Sequence, residues 1–284
     1  MELNKVGVIG TGAMGSGLIQ VCALGGFEVI GQDIKQEFLD GCTKTIDRFL
    51  KLAVRREKTV TQDDADAAKQ RIKLTLNPED LADCDLVIEA ATEVMDLKKK
   101  IFANLDKICK HETILASNTS SLSILEMASV TKRTNRFVGM HFFNPVTHMK
   151  LVEIIKHEQL EEEIYEAAKD FVKRIDKEHI TCGDKPGFVV NYILMQYLLG
   201  AVRAWEGGLA SIEEIDKGMK LGANHPMGPF ELLDRIGLDV AVHVSESIHD
   251  KIPIDQFKTP QSMLDFVAQN KYGKKTGEGF YKYR

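Results

Sequence analysis

Lys5-Val-Gly-Val-Ile-Gly10-Thr-Gly12-Ala13-Met14-Gly15, running straight into the helix-forming stretch Ser16 to Leu24, decides how the rest of the chain is read. An apolar strand, a G-x-G-x-x-G turn and a helix in that order form the phosphate-binding corner of a dinucleotide fold. The first glycine permits the tight turn, the second lets the backbone approach a pyrophosphate, and the third lets helix and strand pack closely. The helix N-terminus adds partial positive charge. A second apolar run, Phe27 to Ile30, leads to Asp33, 18 residues beyond Gly15. A carboxylate there accepts hydrogen bonds from the ribose hydroxyls and repels a 2′-phosphate, which favours NAD. Lys35 works the other way and keeps NADP open.

Outward from that corner, short apolar runs recur at Ile72 to Leu76, Leu86 to Ala90, Thr113 to Ala116, Arg136 to Phe143, Lys150 to Ile155 and His179 to Cys182. Helix-like segments separate most of them. The pattern predicts crossover units and a mostly parallel sheet covered on both faces. Residues 36–70 are charged, free of proline and helix-favouring, and predict a helical hairpin inserted beside the sheet. After the turn cluster Gly183-Asp-Lys-Pro-Gly187 the chain reads as helices over 188–206, 211–221 and 229–249. The expected architecture is an α/β domain of the Rossmann type, doubly wound, over 1–184, followed by an all-α domain over 185–284. The most apolar stretch, 187–205, is interrupted by Asn191, Gln196 and Arg203, so it predicts a buried helix and not a membrane span.

Composition narrows the function. With 284 residues, 44% hydrophobic and 28% charged, the chain belongs among globular proteins and not disordered ones. A net charge of −5 gives little support for binding nucleic acid. Five scattered cysteines without a C-x-x-C pair argue against a disulfide framework and against zinc. Met1 to Val6 carries no signal-peptide pattern, and a cytosolic location is the expectation.

Oxidation of a secondary alcohol by a nicotinamide needs a group that takes the hydroxyl proton, and imidazole titrates in the useful range. His141 ends an apolar run before Asn144-Pro145, where a strand would open towards the binding crevice. It reads either as that base or as a core histidine. Glu153 interrupts Leu151 to Ile155, and a carboxylate inside an apolar strand needs a partner. A bond from His141 would fix the tautomer, as in a catalytic triad. Ser117-Asn-Thr-Ser-Ser121 offers hydroxyls to a substrate oxygen or caps for the next helix. Asn191, on the apolar helix, needs a partner in the protein or in a ligand. Lys51, Arg55 and Arg56 form a basic patch that suits either a phosphorylated ligand or solvent.

Longer motifs carry a family resemblance from end to end. They are Gly10 to Gly15, Ser117 to Ser121, His141-Phe-Phe-Asn-Pro145, Lys150-Leu-Val-Glu153, Pro186-Gly-Phe-Val-Val-Asn191, His225-Pro-Met-Gly-Pro229 and Gly273-Lys-Lys-Thr-Gly-Glu-Gly-Phe-Tyr281. In these the chain resembles the L-3-hydroxyacyl-CoA dehydrogenase family, in particular its bacterial 3-hydroxybutyryl-CoA members. The resemblance implies interconversion of acetoacetyl-CoA and (S)-3-hydroxybutyryl-CoA in fatty-acid or butyrate metabolism. It implies His141 as acid/base, Glu153 as its partner, and Ser120 and Asn191 at the substrate. Asp33, Glu93, Lys98, Ser120, Asn144 and Lys275 become cofactor contacts by the same matching. Lys51, Arg55 and Arg56 become candidates for the coenzyme A phosphates, and a homodimer formed through the helical domain is expected. The chain departs from the family pattern at Thr147-His148 and at Tyr192. The alternatives are a sugar-acid dehydrogenase on the same scaffold, which would not need the basic patch, and a nucleotide-binding protein without turnover.

Overall fold

Strand β1 (Lys5–Ile9) lies inside an eight-stranded sheet whose order is β3-β2-β1-β4-β5-β6-β7-β8. Its parallel neighbours are β2 (Glu28–Gln32) and β4 (Leu86–Glu89). The order reverses between β1 and β4, which makes that the crevice where a dinucleotide fold places its ligand. The other strands are β3 (Ile72–Thr75), β5 (Ile114–Ser117), β6 (Phe137–Phe142), β7 (Leu151–Lys156) and β8 (Glu178–Gly183). All pairs are parallel except β6 with β7. In the computed structural model, which describes residues 1–56 and 60–283, the chain forms two units, Met1–Asp184 and Lys185–Arg284.

The near-continuous apolar strands follow from coverage on both faces. Every residue of β4, β5 and β6 is buried. Helix α1 (Ala13–Leu24) packs Leu18, Ile19 and Cys22 into a core that includes Val6, Val8, Ile88 and Val138. The charged insertion is a pair of helices, α2 (Gln36–Arg56) and α3 (Gln62–Gln70), the second started by a reciprocal cap between Thr61 and Asp64. Further along run α4 (Met95–Ile108), α5 (Ile124–Ala128) and α6 (Glu162–Arg174).

The second unit is helical: α7 (Val190–Glu206), α8 (Ile212–Gly222), α9 (Pro229–Ile236), α10 (Leu238–His249) and α11 (Gln261–Ala268). Its core gathers Met195, Leu198, Val202, Phe230, Leu233, Phe257 and Met263. Buried Asp216 and Asp234 tie its end down, accepting bonds from the Tyr281 and Tyr283 hydroxyls respectively.

Two sequence expectations change here. The single helix over 229–249 is two helices, because Gly237 takes φ 101° between them, a left-handed conformation that ends one helix and starts the next. Helix α7 is only half-buried, for Ile193 on its outer face is 62% exposed. Among the described residues, no helix is long and apolar enough to cross a membrane.

Candidate active site

At the glycine turn each glycine has a separate steric reason. Gly10 sits at φ 86°, and a Cβ on Gly15 would lie 1.7 Å from the Gly10 carbonyl oxygen. A Cβ on Gly12 would meet nothing within 4 Å, so the space before the N-terminus of α1 is open. No side chain caps that terminus. Its backbone N–H groups therefore suit a phosphate, and Ala13 and Met14 begin the helix beside it. Asp33 secures the turn: its Oδ2 accepts from the Thr11 N–H at 2.7 Å and the Thr11 hydroxyl at 2.9 Å, and its Oδ1 from Ile34 N–H at 2.7 Å. Lys35 pairs with Glu37 at 3.4 Å and lies over the Phe38 ring. This geometry fits a nicotinamide dinucleotide.

A cavity of about 440 Å³ opens beside the turn, between Thr11–Ala13, the inner face of α2 and residues 144–147 after β6. Asn144 is on its wall. Arg48 lines it too, a cation that the sequence reading missed. Lys51 and Arg55 are exposed on the same helix and do not line the cavity. Arg56 ends α2, and its side chain lies outside the described residues.

On the other half of the crevice, the antiparallel register sets His141 directly opposite Glu153. His141 Nδ1 lies 2.6 Å from Glu153 Oε2, and the carboxylate is fully buried. Asn118, just past β5, accepts from the Phe142 N–H at 2.8 Å and ties the end of β6 to the serine-rich turn.

Beneath that turn lies a buried ionic network. Lys98 is 1% exposed, its ammonium 2.7 Å from Glu89 and 3.2 Å from Glu93. Glu89, fully buried at the end of β4, also accepts from Ala91 N–H and the Ser117 hydroxyl, both at 2.7 Å. Glu93 accepts from the Thr119 hydroxyl at 2.5 Å and the Ser120 N–H at 2.9 Å, with the Ser120 hydroxyl at 3.3 Å. Burial pushes the Glu93 carboxyl up, but Lys98, Thr119 and Ser120 outweigh it and hold it below the ordinary carboxylate value. Lys98 is thus buried between the two carboxylates and paired with both. Sequence reading missed Glu89, although an acid closing an all-apolar strand is the signal that exposed Glu153.

Two expected site residues belong to the helical unit. Asn191 stands in the first turn of α7, half-buried, and Lys275 pairs with Asp239 at 2.6 Å.

A doubly wound sheet with an open glycine turn, an acid after its second strand and a buried His–Glu pair on its other half describes a nicotinamide-dependent oxidoreductase. Residues 5–185 match the family model of the 3-hydroxyacyl-CoA dehydrogenase NAD binding domain, and residues 187–283 match that of the C-terminal domain. The chain belongs to the 3-hydroxyacyl-CoA dehydrogenase family. It is 44% identical to the mitochondrial hydroxyacyl-coenzyme A dehydrogenase of Rattus norvegicus over 99% of this chain and 92% of that one. It is 43% identical to the 3-hydroxybutyryl-CoA dehydrogenase of Clostridioides difficile over 98% of this chain and 99% of the other. The crystal structure of the (S)-3-hydroxybutyryl-CoA dehydrogenase from Ralstonia eutropha superposes with a TM-score of 0.95 at 42% identity, covering all of both chains.

Proposed function

We propose that the chain interconverts acetoacetyl-CoA and (S)-3-hydroxybutyryl-CoA, with NAD as its cofactor and His141 as the acid/base. The His141–Glu153 pair carries this reading. A carboxylate can only accept, so beside Nδ1 it keeps the proton on that nitrogen and leaves Nε2 to exchange a proton with the substrate oxygen. It also stabilises the imidazolium formed when the alcohol is oxidised. A bound nicotinamide supplies or accepts the hydride. Ser120, held by Glu93, and Asn191 contact the reacting substrate. Gly10, Gly12, Ala13, Met14, Gly15, Asp33, Glu93, Asn144 and Lys275 hold the cofactor. NAD is favoured over NADP because Asp33 stands where a 2′-phosphate would come, while the Lys35 charge is countered by Glu37.

Lys51, Arg55 and Arg56, now joined by Arg48, receive the coenzyme A phosphates. The same reading carries a cytosolic homodimer formed by the helical unit, where Ile193, Leu209 and Leu221 are 62%, 76% and 78% exposed. Light scattering of the purified protein tests the dimer, and a monomer mass would remove it. The activity is tested by following oxidation of NADH and NADPH with acetoacetyl-CoA, using free acetoacetate as the control. Rapid turnover that needs the thioester and prefers NADH is expected. No turnover, or equal turnover of free acetoacetate, would overturn the reading.

A further inference from the structure

Lys177 precedes β8, and its side chain is buried beneath the turn that joins β6 to β7. Its ammonium donates to the carbonyl of Val146 at 2.6 Å and to that of Met149 at 2.7 Å. Burying a cation costs free energy that its hydrogen bonds must offset, and here both acceptors lie in one turn. Burial, and then the nearby Lys150, press the ammonium below its ordinary pKa, while Asp176 and Cys22 act against them.

What it fixes is one wall of the 440 Å³ cavity. The turn is closed from inside by the N–H groups of His148 and Met149, both donating to the Pro145 carbonyl at 3.0 Å. Val146 lies so close to α1 that a Cβ on Gly17 would come within 2.8 Å of its own Cβ. Lys177 thus presses from below, α1 abuts from the side, and Asn144, Pro145, Val146 and Thr147 face Thr11–Ala13 across the cavity.

We propose that Lys177 is a positioning residue for the cofactor, whose ammonium sets the distance between the Asn144–Thr147 wall and the glycine turn. This rests on the nicotinamide reading above. The backbone ladder between β6 and β7 holds His141 and Glu153 independently, so the effect falls on binding and leaves the proton transfer in place.

The experiment compares the wild-type protein with Lys177→Met and Lys177→Gln by NADH fluorescence titration, steady-state kinetics and thermal unfolding. Lys177→Met should raise the NADH Kd and KM about five-fold or more, with kcat at saturating cofactor within about two-fold. Lys177→Gln, whose amide still donates, should recover part of the affinity, and it carries the test if the methionine variant does not fold. A lowered Tm with unchanged NADH affinity in either variant would overturn the proposal and leave Lys177 a purely structural role. Wild-type protein that binds no NADH would instead sink the nicotinamide reading.

Discussion

His141 and Glu153 are direct cross-strand partners on β6 and β7, and that register brings Nδ1 and Oε2 within 2.6 Å of each other. A shift of one residue would turn either side chain to the other face of the sheet. Because Glu153 is fully buried, turnover of a variant at either position is read together with its Tm. His141→Asn should cut turnover by about 10² to 10⁴ with NADH affinity kept, because it removes only the positioned acid/base. Glu153→Gln should cost about 10² in turnover, since an amide no longer holds one tautomer. Full activity in a folded His141 variant would remove the assignment.

Gly12 and Gly15 lie three residues apart, and substituting them should do opposite things. Gly12 is extended, with φ −66° and ψ −158°, and the added methyl would enter only the open space before α1. Gly12→Ala should keep its Tm and weaken NADH about ten-fold, by blocking the approach to the helix N-terminus. Gly15→Ala should lose about 3 kcal/mol, the upper end for overpacking, because its methyl collides with the Gly10 carbonyl. Denaturant titration and NADH binding of both variants separate the two effects. Equal Tm losses would show that Gly12 is structural.

The sheet was legible because strands covered on both faces write themselves as short apolar runs, and crossover connections separate them by helices. Glu153 was legible for the same reason, as a carboxylate where only apolar residues belong. Glu89 carries that signal at a strand end, where an acid also passes for the start of a loop, and only its bonds to Lys98, Ala91 and Ser117 separate the two. Lys177 was invisible, for a lysine beside Asp176 reads as a surface charge, and its partners are carbonyls about 30 residues earlier, 31 for Val146 and 28 for Met149. The break at Gly237 was hidden because a glycine inside an amphipathic pattern is often tolerated; its positive φ is set by the surrounding fold.

Glu93 gives the protein an acid limb with a definite sign. Its folded carboxyl lies below the ordinary value of 4.5, so folding favours the ionised form. That contribution is complete above the unfolded pKa and is lost as pH falls through the folded one. Glu93→Gln should therefore flatten the loss of stability below about pH 4.5 while leaving the trend near neutrality alone. Urea midpoints measured across that window check it, and an acid limb as steep as wild type would assign the loss to other carboxylates.

Arg48 and Arg55 stand seven residues apart on α2, two turns along one face and about 10 Å from each other. Only Arg48 lines the cavity, so a ligand leaving it along the helix would meet Arg48 first and Arg55 second. Lys51 is rotated about 60° from Arg48 around the axis and is less well aimed at that path. Exposed cations are worth little singly, so the pair should be removed together. Arg48→Ala with Arg55→Ala should raise the KM for acetoacetyl-CoA about ten-fold and change kcat much less, while Lys51→Ala alone should raise KM by a smaller factor. Added salt should raise the wild-type KM more than that of the double variant, because screening acts on charges the variant lacks. An unchanged KM in the double variant would return α2 to a solvated charged face.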